Sequence, residues 1–350
     1  MITPNPILGT GLHAVGGVAA SSCYTPSSKV KQWSWGTFWL VQAVFAWILM
    51  PILAGVFTVP GFFHILANAP SKVLWGAFLL GAVYGFGGMS FGLAIKHIGY
   101  SLTYTIAIGL SAVIGTITPL LLNGTFEAYF SSTGSGIIAT GMILSIVGVT
   151  VCGLAGFKKE EDLKTINNSG TQFKMLTGML LAIIGGVLSA VFNLSLEHGQ
   201  PIADMAAKNG AGNFEQNAKM IVSTAGCFVT NLIWFLVLGI KQKTLKEFTG
   251  KTGLSAGLRL KNTAWSALAG TLWFCQFFFY GLGHVNMGKF QFISWVLHMS
   301  MLIFFSYIVG VIMKEWKQVS RKTYAILISG LVILIASFVI MTWGSVVGNA

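Results

Sequence analysis

Four stretches of the sequence place polar and aromatic side chains on one helical face. The clearest holds four of them at positions i, i+3, i+4 and i+7: Gln291, Ser294, Trp295 and His298. Lipid penalises such a face, so these side chains must face protein or water. Amide, hydroxyl and imidazole groups hydrogen-bond to hydroxyl groups, and aromatic faces stack on apolar C–H surfaces. This mixture is typical of a sugar-binding site.

The other three stripes have the same character. They comprise Trp273, Gln276, Phe277, Tyr280 and His284; His13, Gly16, Gly17 and Tyr24; and Ser189, Asn193 and Glu197. The predicted substrate contacts are Gln276, Tyr280, Ser294, Trp295, Asn193, Trp273, Tyr24 and Gln291. Each has a structural alternative, because aromatic residues also form bundle cores and interfacial anchors, and amides and hydroxyls also join helices.

Three titratable side chains on these stripes are candidates for handling protons. Glu197 is the only carboxylate adjoining a stripe, and burying it costs about 3 kcal/mol unless it is protonated or paired. It could equally be the first solvated residue of a loop. His13 and His298 lie within apolar runs, where a histidine is a functional candidate and a satisfied structural residue is the alternative.

The elements that carry these residues must be membrane-spanning helices. The sequence of 350 residues is 54% hydrophobic and 9% charged, whereas soluble domains are about 25% charged. Ten mostly apolar stretches approach the roughly 20 residues that cross a bilayer: 7–25, 37–58, 73–95, 100–122, 135–157, 174–196, 220–240, 263–283, 290–313 and 323–345. They are too long and too uniformly apolar for a β-barrel, so the predicted fold is an all-α polytopic membrane protein with ten transmembrane helices.

The positive charges predict how the chain is oriented. The odd-numbered connections hold 17 Lys and Arg residues and the even-numbered ones hold 4, and positive loops stay in the cytoplasm. Both termini are therefore predicted outside the cytoplasmic membrane. The net charge of +12 then belongs to inner loops, including Lys158 to Lys164 as a solvated loop, and does not indicate a nucleic-acid partner.

An internal repeat connects the two halves. Shifts of 169 and 189 residues superimpose glycines in the same order along both halves: Gly16 on Gly185, Gly81 on Gly270 and Gly141 on Gly330. A five-helix unit that is repeated must insert its second copy upside down, and inverted repeats are typical of alternating-access transporters. The predicted division is residues 1–157, a cytoplasmic linker 158–173, and residues 174–350. Close helix packing also accounts for glycine pairs such as Gly81 and Gly85.

Other classes of protein find little support. The four cysteines, Cys23, Cys152, Cys227 and Cys275, lack CxxC spacing, so neither disulfides, a zinc site nor another metal site is indicated. Motifs of membrane enzymes and channel filters are absent from the sequence, and nothing suggests a cofactor. Transport by alternating access is the hypothesis that survives.

Several motifs resemble those of the L-rhamnose–proton symporter family, within the drug/metabolite transporter superfamily. They are Cys23-Tyr24-Thr25-Pro26, Lys31-Gln32-Trp33-Ser34-Trp35, Gln276-Phe277-Phe278-Phe279-Tyr280, Gly283-His284, Ile293-Ser294-Trp295, Leu297-His298-Met299-Ser300 and Lys314-Glu315-Trp316. The resemblance implies a bacterial inner-membrane importer of L-rhamnose or a related 6-deoxyhexose, coupled to a proton.

The chain departs from the enterobacterial form of that family at Gly36 and Gln291, where the resemblance implies acidic residues. Glu197 or a histidine is then the substitute for a lost proton carrier. Two further hypotheses stay open from sequence: an exporter of metabolites or drugs, and an uncoupled sugar facilitator.

Overall fold

A computed structural model describes residues 3–166, 175–247 and 253–350. Its ten long helices are α1 (Pro6–Ser22), α2 (Trp35–Thr58), α3 (Ser71–Ile98), α4 (Tyr100–Leu122), α5 (Ser135–Ile166), α6 (Met175–His198), α7 (Asn217–Lys241), α8 (Ala256–Asn286), α9 (Ser294–Ile312) and α10 (Arg321–Asn349). Three short helices join them: Phe62–Asn68, Phe126–Phe130 and Gln200–Lys208. Within the described ranges no residue is in a β-strand.

Each of the ten predicted stretches coincides with a long helix. In the part of the chain that the structure describes, eight helical segments are long and apolar enough to cross a membrane. The two others are α1, with only 17 residues, and α8, whose Trp, Gln and Tyr residues lower its mean hydropathy. The prediction of an all-α polytopic membrane protein is confirmed. Ten spans arranged as inverted repeats stays a prediction.

The division into residues 1–157 and 174–350 also stays a prediction. The linker predicted between them, 158–173, lies partly outside the described residues, because the described part of this segment ends with α5 at Ile166.

The ends of the helices follow from local sequence. Ser34 precedes α2 and accepts a hydrogen bond from the Thr37 backbone N–H at 3.3 Å, and Ser320 caps α10 in the same way. These side chains satisfy amides that have no partner within the first helical turn. Gly99 separates α3 from α4 with φ of 76°, a conformation that favours glycine.

One segment of α2 departs from α-helical geometry. Residues Phe45–Leu49 form a π-helical turn, in which the Met50 N–H bonds to the Phe45 carbonyl five residues earlier. Pro51 follows directly; it has no N–H and its ring clashes with the carbonyl four residues before it in a regular helix. The wider turn accommodates the proline and sets the direction of Trp47.

The chain divides into two compact units. Unit 1 consists of Met1–Ser21, Gly87–Leu194 and Leu282–Ala350. Its longest helix pair is α5 and α10, which pack closely at glycines. A Cβ atom on Gly141 would lie 2.9 Å from the Met341 backbone nitrogen, and one on Gly344 would lie 2.9 Å from the Ile138 backbone nitrogen. Small residues at such positions let helix backbones approach in a membrane.

Unit 2 consists of Ser22–Phe86 and Ser195–Gly281. Here α3 and α7 approach closely, and a Cβ atom on Gly81 or Gly85 would meet the backbone of α7 at Ser223 or Cys227. The predicted close packing at Gly81 and Gly85 is therefore confirmed. At one end of the unit, the Phe62–Asn68 and Gln200–Lys208 helices share a buried apolar cluster.

The prediction of a solvated loop from Lys158 to Lys164 is wrong for Lys159. Because α5 continues to Ile166, it carries Lys159 back into unit 1, where this residue is 4% exposed. Its ammonium lies 3.2 Å from Glu315 Oε2 and 3.5 Å from Glu160 Oε1. Two direct ion pairs compensate for the burial of this charge.

The α5–α10 contact can be tested by filling one glycine position. Gly141→Leu is expected to lower the free energy of unfolding by about 1–3 kcal/mol, because its side chain overpacks against α10. Gly136→Leu is the matched control, since a Cβ atom at Gly136 on the same helix would have no neighbour within 4 Å. Thermal unfolding in detergent, followed by tryptophan fluorescence, measures both. Equal losses of unfolding free energy in the two variants would contradict close packing of α5 against α10 at Gly141.

Candidate functional site

The structure distributes the predicted site residues over both units. Unit 1 holds His13, Asn193, Gln291, Ser294, Trp295 and His298, and unit 2 holds Tyr24, Glu197, Trp273, Gln276 and Tyr280.

In unit 1, hydrogen bonds among Ser111, Gly115, Ser189, Asn193 and Trp295 join three helices. We call these residues, together with the sequence neighbours Thr116 and Ser294, the polar cluster. Asn193 of α6 donates from Nδ2 to the Gly115 carbonyl of α4 at 2.9 Å. Trp295 of α9 donates from Nε1 to the Ser111 carbonyl at 2.9 Å. Gly115 permits this arrangement, because a Cβ atom there would collide with the Trp295 indole. The predicted residues Asn193 and Trp295 thus both contact Gly115.

Three buried polar atoms of the polar cluster have unused hydrogen-bonding capacity. Asn193 Oδ1, Thr116 Oγ1 and Ser294 Oγ have no hydrogen-bond partner in the described part of the chain. Their residues are at most 3% exposed. Leaving a buried polar group unpaired costs about 1–3 kcal/mol, and such groups in native proteins call for an explanation. A ligand that both donates and accepts hydrogen bonds would satisfy them.

His13 and His298 form a second feature of unit 1. Both are fully buried, and their ring centroids lie 5.6 Å apart in an edge-on arrangement. Gly283 makes room for them, since a Cβ atom there would lie 2.9 Å from His13 Nε2. At this separation two positively charged imidazole rings would repel each other strongly in a low dielectric. The pair therefore favours at most one positive charge.

Gln291 does not continue the helical stripe of α9. It is partly buried in a 3-10 segment, Gly288–Ile293, that precedes this helix. Gly288 has φ of 61°, and Phe290 has non-helical φ and ψ of −102° and 28°. The α-helical part of the stripe therefore starts at Ser294. Tyr24 differs likewise, because α1 ends at Ser22 and this residue lies in the following turn.

In unit 2, aromatic side chains form a continuous chain of contacts that we call the aromatic cluster: Tyr24, Trp39, Trp47, Trp273, Phe277 and Tyr280. Tyr24 stacks on Trp39 with 5.8 Å between centroids and 11° between planes. Trp39 meets Trp47 at 6.4 Å, and Trp47 meets Trp273 edge-on at 5.6 Å. Trp273, Phe277 and Tyr280 then follow along α8. The predicted residues Tyr24, Trp273 and Tyr280 are thus linked through two tryptophans of α2.

Specific contacts fix the aromatic cluster. The Trp39 indole donates to Asn231 Oδ1 of α7 at 3.0 Å. Gly270 lets α8 approach the π-helical turn of α2, since a Cβ atom there would lie 3.0 Å from the Ala46 nitrogen. Trp47 Nε1 and Gln42 Oε1 are buried and have no hydrogen-bond partner among the described residues. The cluster therefore combines aromatic faces with open polar atoms.

Sequence reasoning missed Trp39, Gln42 and Trp47. The signal was present, because Trp35, Trp39 and Gln42 have the same i, i+4, i+7 spacing as the recognised stripes. In a span as apolar as α2, tryptophans at this spacing equally fit residues that anchor a helix at the membrane interface.

Glu197 and Gln276 belong to unit 2. Glu197 lies in the last turn of α6 and is partly buried, so it is a helix residue and not a loop residue. Its carboxylate is close enough to Lys219 to interact with it electrostatically. Gln276 lies on α8 between Trp273 and Tyr280 and is 5% exposed. Among the described residues, no group of three or more His, Cys, Asp and Glu side chains is arranged to hold a metal ion.

Comparisons with known proteins decide the family. A family model described as L-rhamnose-proton symport protein matches residues 3–346. The chain belongs to the L-rhamnose–proton symport family. A relative from Mannheimia succiniciproducens is 32% identical over 331 residues, covering 94% of this chain and 95% of that protein. Relatives from Yersinia pestis and Yersinia pseudotuberculosis are 31% identical over 339 residues, covering 95% of this chain and 97% of each. All three carry the name L-rhamnose-proton symporter.

Membership of this family confirms the resemblance found in the sequence. It also confirms a transporter in place of an enzyme, because the family consists of symport proteins. Together with the apolar helices, it identifies a multi-pass protein of the bacterial inner membrane. The roles of individual site residues stay predictions.

Proposed function

We propose that this protein imports L-rhamnose, or a closely related 6-deoxyhexose, with a proton across the cytoplasmic membrane by alternating access. The observation that carries the proposal is the family match over residues 3–346. Relatives that bear the name L-rhamnose-proton symporter align over nearly the whole chain.

The aromatic cluster suits the sugar ring. A 6-deoxyhexose has a methyl group and ring C–H bonds that form an apolar face, and Trp and Tyr rings stack on such faces. Trp273, Tyr280 and Tyr24 are proposed to supply these rings, and Gln276 is proposed to hydrogen-bond to hydroxyl groups. The buried position of three of them, Trp273, Gln276 and Tyr280, supports contact with a substrate that has left water.

Residues of unit 1 are proposed as further substrate contacts, independently of those in unit 2. The unpaired Asn193 Oδ1 and Ser294 Oγ match the hydrogen-bonding capacity of sugar hydroxyl groups. Trp295 positions this region through its bond to Ser111. Gln291, although it precedes α9, stays a proposed contact.

Glu197, His298 and His13 are the proposed proton-coupling groups. Glu197 is partly buried in the last turn of α6, and the two histidines form a buried pair. Ionisable side chains within membrane spans are rare and functional by default.

The finer topology is also proposed: ten spans, two inverted five-helix repeats, and both termini outside. The excess of 17 over 4 positive residues in alternate connections supports this orientation, since such residues are retained in the cytoplasm. Alkaline phosphatase fused after Ala350 reports the orientation directly, because it is active only outside the cytoplasm.

Uptake of radiolabelled L-rhamnose into cells that lack their own carrier tests the proposed function. We expect accumulation above the external concentration that a protonophore abolishes and unlabelled L-rhamnose blocks. Uptake that equilibrates and ignores the protonophore would indicate an uncoupled facilitator. No uptake at all would reject the substrate and favour an exporter of other metabolites.

Trp273→Ala tests the aromatic cluster as the sugar platform. Loss of the stacking face is expected to raise the half-saturation concentration for uptake at least tenfold, about 1.4 kcal/mol, with a smaller change in maximal rate. Trp343→Ala is the control, because Trp343 of α10 is 60% exposed. If the maximal rate falls while the half-saturation concentration stays the same, Trp273 does not bind the sugar.

Glu197→Gln tests the carboxylate in coupling. The amide has neither the proton-binding site nor the negative charge of the carboxylate, so accumulation against a gradient should be lost, while exchange of internal for external sugar continues. Glu127→Gln, at an exposed position, should leave both unchanged. Unchanged accumulation in Glu197→Gln would remove this residue from the mechanism.

A further inference from the structure

Lys219 is a buried cation that the function described so far does not use. The sequence places it in a connection between spans, but the structure places it in the first turn of α7 and leaves it 2% exposed. Both features oppose a positive charge: burial removes its hydration, and the N-terminal end of a helix carries a positive partial charge. Helix stability therefore does not account for a lysine here.

A neutral amide, and not a carboxylate, contacts the ammonium group. Lys219 Nζ donates to Gln200 Oε1 at 2.6 Å, and the same oxygen accepts from Gln216 Nε2 at 3.4 Å. Gln200 in turn donates to Asp204 Oδ1 at 2.9 Å, and Gln216 donates to Glu215 Oε1 at 3.2 Å. Two glutamines thus stand between the lysine and these carboxylates.

Carboxylates on several elements surround Lys219 at longer range. Glu197 comes from α6, Asp204 from the Gln200–Lys208 helix and Glu215 from the segment before α7, and all three act on the lysine charge. Within the described ranges, no carboxylate oxygen lies within 4.0 Å of the ammonium.

Lys159 shows what a structural buried lysine looks like in this protein. Its ammonium makes direct ion pairs at 3.2 and 3.5 Å with two carboxylates. Lys219 has a comparable burial but only an amide as its direct acceptor. An amide oxygen binds a charged ammonium and equally accepts a hydrogen bond from a neutral amine. Lysine is also the cationic side chain that changes protonation state most readily when buried.

We propose that Lys219 carries the co-transported proton, with Glu197 as its countercharge. The neutral amine takes a proton from the external side to become an ammonium, and the charge of Glu197 balances it while the site is loaded. Release of the proton to the cytoplasmic side restores the amine. This inference rests on the proposed proton symport and assigns a group to its coupling step. Asp204, which is exposed, connects the same Gln200 to water.

Arginine distinguishes a proton carrier from a fixed positive charge, because its guanidinium keeps its proton at all relevant pH values. The variants are Lys219→Gln, Lys219→Arg and the control Lys208→Gln, an exposed lysine on the Gln200–Lys208 helix. Each full-length chain is assayed for L-rhamnose accumulation, for exchange of internal and external sugar, and for alkalinisation of the medium when sugar is added.

Both Lys219 variants should lose accumulation by at least tenfold and lose alkalinisation, while exchange stays within twofold of the unmodified protein. Lys208→Gln should behave like the unmodified protein in all three assays. Accumulation restored by arginine would show that Lys219 is only a fixed charge and would overturn the proposal. Loss of exchange in both variants would overturn it too, since the lysine would then serve folding or sugar binding. The unmodified protein tests the proposed function separately. If it shows no proton-linked uptake, the proposed function is wrong, whatever the variants do.

Discussion

Hydrocarbon offers no hydrogen-bond partners, so each spanning segment of this chain must satisfy its own backbone amides and carbonyls. The constraint selects helices, and it makes every break in a helix costly. Two breaks occur in the described structure next to candidate site residues. One is the π-helical turn of α2 that contains Trp47, and the other is the 3-10 segment that precedes Ser294 in α9. Irregular backbone of this kind is tolerated in a membrane where protein or a cavity surrounds it.

The same constraint gives meaning to buried side-chain polar groups. Most of them are paired within their unit, as Trp39 is with Asn231 and Lys159 with Glu315. Asn193 and Ser294 in unit 1 and Gln42 and Trp47 in unit 2 keep buried atoms without partners in the described part of the chain. In a low dielectric an unpaired polar atom is expensive, and a hydroxyl-rich substrate would satisfy it. The two buried lysines differ in the same respect, because Lys159 has carboxylates as direct partners and Lys219 has an amide oxygen.

The helices and their stripes could be predicted because bilayer thickness fixes span length and helical periodicity fixes which residues share a face. The stripe of Trp273, Phe277 and Tyr280 on α8 is confirmed on this basis. Gln291 lies before the α-helical part of its predicted stripe, in a segment where Gly288 has a positive φ. The spacing of polar residues does not show such a change of backbone conformation.

Other features depend on packing between helices distant in sequence, which spacing alone does not show. Lys159 was assigned to solvent because a positive residue beyond a span normally is, yet Glu315, 156 residues later, pairs with it. The contact of Trp47 with Trp273 joins two helices, so the spacing within α2 alone does not predict it. Lys219 is buried where Gln200, 19 residues earlier, accepts a hydrogen bond from its ammonium.

Transport by the purified protein in proteoliposomes, with an imposed pH gradient and no other carrier present, tests the central claim most directly. The account predicts that L-rhamnose accumulates inside the vesicles when the outside is acidic, and that sugar added without a gradient draws protons in with it. Equal uptake with and without the gradient, and no proton movement on sugar addition, would contradict it.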